Sequence, residues 1–218
     1  MSEPKAVAQE AWQVVPGLWH WNLDDERISG FIGASHAVAT DEGTVLIDPH
    51  PLAEDALVGL RAIAAIVLTA SVHQRASWRL RRELGIPVWV PAPTRDAEEE
   101  PDDRYSEGDR LPGGLDAIFT PGAGTTQHTL HDRQRRAAFV SDLLVRPRGG
   151  RLALLSEHLA HDPAQLRETV ETRLLALDVD ILCLGHGEPV TDPPHRALRA
   201  ALGAFRRRPS GLRPAQSL

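Results

Sequence analysis

The segment AIVLTASVHQR, residues 65–75, predicts the architecture of the chain around it. Its first four residues form a short apolar run, which is typical of a strand covered on both faces. Ser71, followed three residues later by Gln74, forms a capping box that predicts a helix starting at Ser71. Gly85 predicts the end of that helix, because glycine readily takes the left-handed conformation found just past a last turn. A buried strand that runs into a helix start is a natural place for chemistry.

The composition is that of a globular protein in which one domain accounts for most of the chain. The 218 residues are 42% hydrophobic and 25% charged, and the net charge of −6 argues against a nucleic-acid partner. No apolar run approaches the roughly 20 residues that span a membrane. The single cysteine excludes an internal disulfide framework. We therefore expect a cytoplasmic protein with neither a nucleic-acid nor a membrane partner.

The order of predicted elements indicates a four-layer fold. Strands, a helix, the central strand and its helix are followed by another strand, a β meander and a helix–strand–helix ending. Two such halves suit an α+β protein with an αββα sandwich, in which two sheets pack face to face between outer helices. We expect a flexible N-terminal arm over residues 1–11, a single domain over residues 12–206 and a disordered tail over residues 207–218.

The segment IVLTASVHQRAS, which begins at Ile66, resembles the strand-end motif of the metallo-β-lactamase superfamily. In that family the strand ends in Thr-His-x-His-x-Asp-His, and these side chains hold two metal ions. With the family threonine placed on Thr69, His73 falls on a variable position. The four ligand positions are occupied by Ala70, Val72, Gln74 and Arg75. The resemblance covers residues 14–205 and implies the αββα fold.

Other segments of the resemblance retain part of the site. The segment LIDP resembles the family strand whose aspartate lies at the floor of the site, here Asp48. The segment FVSDLL resembles the one whose aspartate bridges both metals, here Asp142. The loop LGHGEPV matches the one that carries the last ligand, here His186. In the segment TPGA, Ala123 stands where the family has a further histidine ligand.

The surviving ligands are too few for the usual two-zinc centre. The resemblance leaves Asp142 and His186 as metal ligands, whereas a catalytic zinc normally has three ligands from the protein. We therefore expect either no metal or one weakly bound zinc. The side chains that could complete such a site are His73, His128, His131, Asp48 and His50, and their spacing forms no ligand motif. A buried carboxylate needs a compensating charge, so we also predict that Arg75 pairs with Asp142 in place of the missing cation.

Three functions remain open from the sequence. The first is a hydrolase of an ester, thioester or phosphoester with a residual one-metal centre, and the second is a metal-free hydrolase with His73 or His186 as general base. The third is a non-catalytic protein that binds a small anion in the same cleft. The candidate catalytic residues are Asp142, His186 and His73. The candidate ligand-binding residues are Arg75, Asp48 and Gln74.

Overall fold

The computed structural model describes residues 3–25, 28, 31–92 and 94–205. The strands are β1 (Trp12–Val15), β2 (Leu18–Asp24), β3 (Ile32–Thr40), β4 (Gly43–Ile47), β5 (Ile63–Val67), β6 (Val88–Pro91), β7 (Asp103–Tyr105), β8 (Asp116–Phe119), β9 (His128–Asp132), β10 (Ala137–Phe139), β11 (Leu144–Val145), β12 (Ala153–Leu154) and β13 (Ile181–Cys183). The helices are α1 (Glu54–Gly59), α2 (Ser77–Leu84), α3 (Pro163–Thr172) and α4 (Pro194–Phe205).

Two main sheets form the centre of the domain. The first contains β1 to β7 in sequential order, with antiparallel pairing from β1 to β4 and parallel pairing from β4 to β7. The second has the order β13-β10-β9-β8, in which only the β13–β10 pair is parallel. Strands β11 and β12 pair separately. The parallel pairs matter for the site, because the loops that follow parallel strands meet at one edge of a sheet.

Alternating side chains divide the core into three apolar layers. On β4, Leu46 packs with α2 residues such as Trp78 on the outer face of the first sheet. The neighbouring Ile47 points the other way and packs against Phe139 of the second sheet. On the far side of the second sheet, Leu182 packs with residues of α3 and α4. Helix, sheet, sheet and helix layers follow from this alternation, so the predicted αββα sandwich is confirmed.

The start of the central helix differs from the prediction. Helix α2 begins at Ser77, and its N-cap is Ala76, which makes no side-chain cap bond. The capping box at Ser71 is therefore wrong, since residues 70–76 form a turn instead of the first helical turn. Tertiary contacts outweigh the local signal here: the N–H of Ala76 donates to the carbonyl of Pro49 at 3.0 Å. Gly85 ends the helix in the left-handed conformation, with φ of 66°, as predicted.

The predicted N-terminal arm makes backbone hydrogen bonds to the domain. Within the predicted N-terminal arm, the Ala8 N–H donates to the carbonyl of Pro51, and the Ala53 N–H donates back to Ala8. The predicted tail over residues 207–218 lies outside the described residues, and the domain boundaries remain a prediction. Among the described helices, none has the length and apolar character needed to cross a membrane.

Candidate functional site

Four strand ends bring the candidate residues together. Asp48 follows β4 and Thr69 comes shortly after β5, which is the parallel neighbour of β4. In the second sheet, Asp142 and His186 follow β10 and β13, which are also parallel neighbours. The loops after these four strands face one another across the edge of the sandwich. The fold thus assembles one site from residues that are up to 138 positions apart, from Asp48 to His186.

Asp48 holds His73 in a fixed orientation. The Asp48 side chain is buried, and its Oδ1 accepts a hydrogen bond from the Thr69 backbone N–H at 2.8 Å. Its Oδ2 accepts from the Thr69 hydroxyl and lies 2.9 Å from His73 Nδ1. A carboxylate at Nδ1 favours the proton on that nitrogen. The other ring nitrogen, Nε2, therefore faces Asp142.

Asp142 lies at the other side of His73. Its Oδ1 is 3.0 Å from His73 Nε2 and 3.0 Å from His186 Nε2. Its Oδ2 accepts a hydrogen bond of 3.2 Å from the side-chain amide of Gln127. Asp142 and His186 retain 17% and 13% of their side-chain exposure, so both are reachable from solvent. The side chains of Asp48, His73, Asp142 and His186 are thus linked in a continuous polar chain, which runs from buried Asp48 to the surface.

Three donor atoms in this chain have the arrangement of a metal site. One ligand atom each from His73, Asp142 and His186 lies within 4.8 Å of the other two. Among the described residues, Asp142 Oδ1 is buried without an aligned hydrogen bond, although two imidazole nitrogens are close. Buried polar atoms without a partner are uncommon in folded proteins. The three donor atoms therefore lie close enough together to be candidate ligands of one metal ion.

The charges of this chain are strongly coupled. Burial raises the pKa of Asp142, but the imidazoles of His73 and His186 outweigh it and hold that pKa well below its usual range. Burial and the nearby Arg75 lower the pKa of His73, but the carboxylates of Asp142 and Asp48 prevail and raise it to about 9. Without a metal, His73 is therefore an imidazolium between two carboxylates at neutral pH.

The predicted ion pair between Arg75 and Asp142 is wrong. The Arg75 guanidinium donates to three backbone carbonyls: Ala34 at 2.6 Å, Asp48 at 2.8 Å and Gly185 at 3.2 Å. Within the described part of the chain, the side chains within ion-pair distance of Asp142 are the imidazoles of His73 and His186 instead. Arg75 fastens β3 to the segments that carry Asp48 and His186, and the compensating charge comes from His73.

Gln74 takes a structural position next to the site. Its amide nitrogen donates to the carbonyls of Ser71 and Asp96 at 2.9 Å each. Its amide oxygen accepts from the Trp78 indole and from the Glu98 N–H, both at 2.7 Å. These four bonds fix the loop after β6 onto the turn before α2. A role for Gln74 in binding a ligand remains a prediction.

Backbone strain is concentrated at the site. Asp48, Arg75 and Ser141 have φ angles of 47°, 45° and 51°, in the left-handed region that side-chain-bearing residues seldom adopt. Each of them adjoins or belongs to the polar chain. Such conformations cost roughly 1–3 kcal/mol each and persist where the surroundings fix them. The strain is consistent with a site whose geometry is maintained for a function.

A cavity of about 870 Å³ opens above these residues. His73, Asp142 and His186 form part of its lining, together with Arg75. Much of the remaining lining is apolar, and it includes Phe31, Val145, Leu155 and Leu159. The volume is within the range usual for small-molecule sites. The arrangement can therefore present a polar centre to a ligand that is otherwise enclosed by apolar side chains.

Gln127 is the member of the site that the sequence analysis missed. It binds Asp142, and its amide oxygen accepts from the Gly124 N–H at 2.8 Å. A glutamine at the start of a predicted strand carries no motif, so no signal in the sequence could have identified it. His73, by contrast, was identified as a candidate, and the structure brings it together with Asp142, His186 and Asp48.

Comparison with known proteins identifies the family of this chain. The family model described as "Metallo-beta-lactamase superfamily" matches residues 13–202. No curated protein matches the chain. Among solved structures, a metallo-beta-lactamase from Pontibacter korlensis is similar with a TM-score of 0.73 and 16% identity, covering 91% of this chain and 99% of that one. A metallo beta lactamase from Erythrobacter litoralis has a TM-score of 0.65 and 16% identity, covering 90% and 91%.

These structural similarities, at such low identity, show the fold alone, whereas the family model spans most of the sequence. The shared architecture and the retained Asp142 and His186 agree with that match. The chain therefore belongs to the metallo-β-lactamase superfamily.

Proposed function

We propose that this protein is a hydrolase that uses one metal ion held by His73, Asp142 and His186, and that the usual two-zinc centre of the superfamily is lost. The observation that carries the proposal is the convergence of these three donor atoms within 4.8 Å. His73 supplies the third ligand from a position that the family motif does not use. The centre is thus rebuilt with a different donor, and is not merely reduced.

A two-ion centre does not fit the residues present. Ala70, Val72 and Ala123 stand at the positions that hold one ion of the family, and their side chains have no donor atoms. At the positions that help to hold the other ion, Gln74 and Arg75 are bonded to backbone groups. The remaining donors suffice for one ion, because a catalytic zinc commonly has three ligands from the protein.

The geometry of the donors fits a single ion. Asp142 Oδ1 lies 3.0 Å from Nε2 of His73 and 3.0 Å from Nε2 of His186, so these three side chains would be the ones to hold an ion. Two histidines and one carboxylate are a donor set known to hold a catalytic metal, either iron(II) or zinc. Asp142 Oδ1, which is buried and has no aligned hydrogen bond among the described residues, would be one of the three ligand atoms.

Asp48 supports the same assignment. Metal-binding histidines usually donate their second ring N–H to a carboxylate or carbonyl, which orients the ring and raises its basicity. The Asp48 carboxylate occupies that position on His73, and the Thr69 N–H and hydroxyl hold it there. The chain therefore provides both the donor and the group that orients it.

The chemistry proposed is hydrolysis of an ester, thioester or phosphoester. A bound ion would supply Lewis-acid polarisation of the carbonyl or phosphoryl oxygen and activation of water. The protein orients His73 through Asp48 and Asp142 through Gln127, and it encloses the substrate in the cavity. In ester cleavage the acyl–oxygen bond breaks, and water supplies the hydroxyl group of the acid and the proton of the alcohol.

A second candidate is a metal-free binding protein. It is favoured by the ion pairs of His73 with both Asp48 and Asp142, since an imidazolium between two carboxylates balances charge without an ion. In that case the site would have structural and ligand-binding roles only. Metal content separates the two functions.

The test is elemental analysis of protein purified without chelator, before and after incubation with zinc, iron(II) or manganese. We expect close to one ion per chain, and hydrolysis of p-nitrophenyl esters or bis-p-nitrophenyl phosphate that depends on it. Asp142→Asn should remove both, whereas Asp96→Asn, which alters another carboxylate of the same cavity, should remove neither. No stoichiometric ion under any condition would favour the metal-free protein, and two ions per chain would contradict a single centre.

A further inference from the structure

The apolar side of the cavity is in direct contact with the donor residues. The Phe31 ring lies 5.8 Å from the His186 ring, measured between centroids. The Leu155 N–H donates to the carbonyl of Leu143, the residue after Asp142. Apolar side chains and donor residues therefore line the same cavity side by side. We call Phe31, Val145, Leu155 and Leu159 the apolar wall of the cavity.

The apolar wall includes a leucine that the fold leaves uncovered. Leu159 is 56% exposed, and it lies in a turn where its N–H donates to the carbonyl of Ser156. Val72, which lies in the turn before α2, also lines the cavity and is 46% exposed. Large apolar side chains at the mouth of a concave site are a common feature of ligand pockets. An apolar group bound in this cavity would meet a lining that includes both side chains.

The charges of the cavity disfavour an anionic ligand. Among the described lining residues, the carboxylates of Asp96 and Asp142 contribute negative charge. The Arg75 guanidinium, which also lines the cavity, is directed at the three backbone carbonyls that it binds. The imidazole of His73 lies between two carboxylates. With no ion in the centre, a neutral ligand avoids the repulsion that a free carboxylate would meet beside these carboxylates.

We propose that the cavity takes a neutral ester or thioester whose acyl chain is apolar and lies along the apolar wall, with its carbonyl at His73, Asp142 and His186. The reaction assigned to this substrate depends on the proposed hydrolase function, whereas the binding preference can be measured without it. Each methylene that is buried strengthens binding by up to about fourfold. Chain length is therefore a sensitive measure of the apolar wall.

The experiment measures binding to the full-length protein by displacement of Nile red, a neutral apolar dye. The competitors are methyl butyrate, methyl octanoate and the octanoate anion. We expect methyl octanoate to bind at least tenfold more tightly than methyl butyrate, and at least tenfold more tightly than octanoate. Equal binding of the short and long esters, or tighter binding of the anion, would overturn the proposal.

A pair of leucine variants assigns the binding to the cavity. Leu159→Asp should weaken methyl octanoate at least tenfold, because it places a charge on the apolar wall. Leu84→Asp is the matched control, since Leu84 is also exposed, at 42%, but ends α2 outside this cavity. Unchanged binding in Leu159→Asp, or an equal loss in Leu84→Asp, would contradict the assigned position.

Metal content measured on the same samples separates the two proposals. Selective binding of the long ester by a protein that takes up no ion would leave this inference standing and remove the proposed hydrolase function. One ion per chain, with hydrolysis of p-nitrophenyl acetate and octanoate at equal kcat/KM and no preference in dye displacement, would support the hydrolase and refute the apolar acyl chain.

Discussion

Replacing His73 with glutamine tests whether the displaced histidine is a true metal ligand. His73 Nε2 lies 3.0 Å from Asp142 Oδ1, and its other nitrogen is held by Asp48 at 2.9 Å. Losing only a group that orients a metal ligand typically costs 10- to 100-fold in metal affinity. Because His73→Gln removes one of three donors, we expect a loss of more than about 100-fold, or at least about 2.7 kcal/mol of binding free energy.

The assay is competition between the protein and a chromophoric chelator for zinc or cobalt(II), with circular dichroism to confirm that each variant is folded. His161→Gln is the matched control, because His161 lines the same cavity but lies outside the group of three donors. Its affinity should stay within about threefold of the unmodified protein, as expected for a surface change. An affinity of His73→Gln within tenfold of the unmodified protein, or an equal loss in His161→Gln, would refute the assignment of His73.

Three further predictions concern stability and can be measured by urea unfolding. Arg75→Lys should lower the free energy of unfolding by about 2–4 kcal/mol, because an ammonium cannot replace a guanidinium bonded to three carbonyls; no loss would contradict the role given to Arg75. Burial, and after it the neighbouring His20, holds the pKa of His36 well below 6.5. Below pH 6.5 only the unfolded state therefore gains a proton at this residue. The free energy of unfolding should fall there by up to about 1.4 kcal/mol per pH unit. His36→Gln should make that slope shallower, and an unchanged slope would exclude His36 as its source. Gly122→Ala should cost about 3 kcal/mol, since φ is 124° and a Cβ would lie 2.3 Å from the backbone of α3, while Gly203→Ala, with open space around it, should cost nothing.

Local signals predicted the regular elements where they agreed with the tertiary packing. Asp162, with a proline after it and Gln165 at the third position, predicts a helix start, and the Asp162 side chain accepts from the Gln165 N–H. Ser71 and Gln74 carry a similar signal, yet no helix begins there. The difference is that the amide of Gln74 is used by the loop after β6 and by Trp78. Capping is worth about 1 kcal/mol, which several tertiary bonds easily exceed.

The candidate site was predicted in part, and the reason lies in which residues carry a motif. Asp142 and His186 lie in segments that resemble the family, so alignment alone identifies them. His73 stands on a variable position of the motif, and its residue type made it a candidate without indicating a partner. The predicted ion pair between Arg75 and Asp142 was wrong. A cation at a lost ligand position suggested a partner for the Asp142 carboxylate, whereas the Arg75 guanidinium binds backbone carbonyls instead.

The amino-acid pattern was enough to establish the architecture and the family, because alternating apolar residues and loop motifs are local properties that survive substitution of the ligands. It also led to the proposal that the usual two-ion centre is lost, since the side chains of Ala70, Val72 and Ala123 have no donor atoms. Only the folded chain showed that His73 turns towards Asp142 and His186, with Asp48 behind it. Side-chain direction in a turn depends on backbone angles and on distant partners, and residues 25 to 113 positions away from His73 set both.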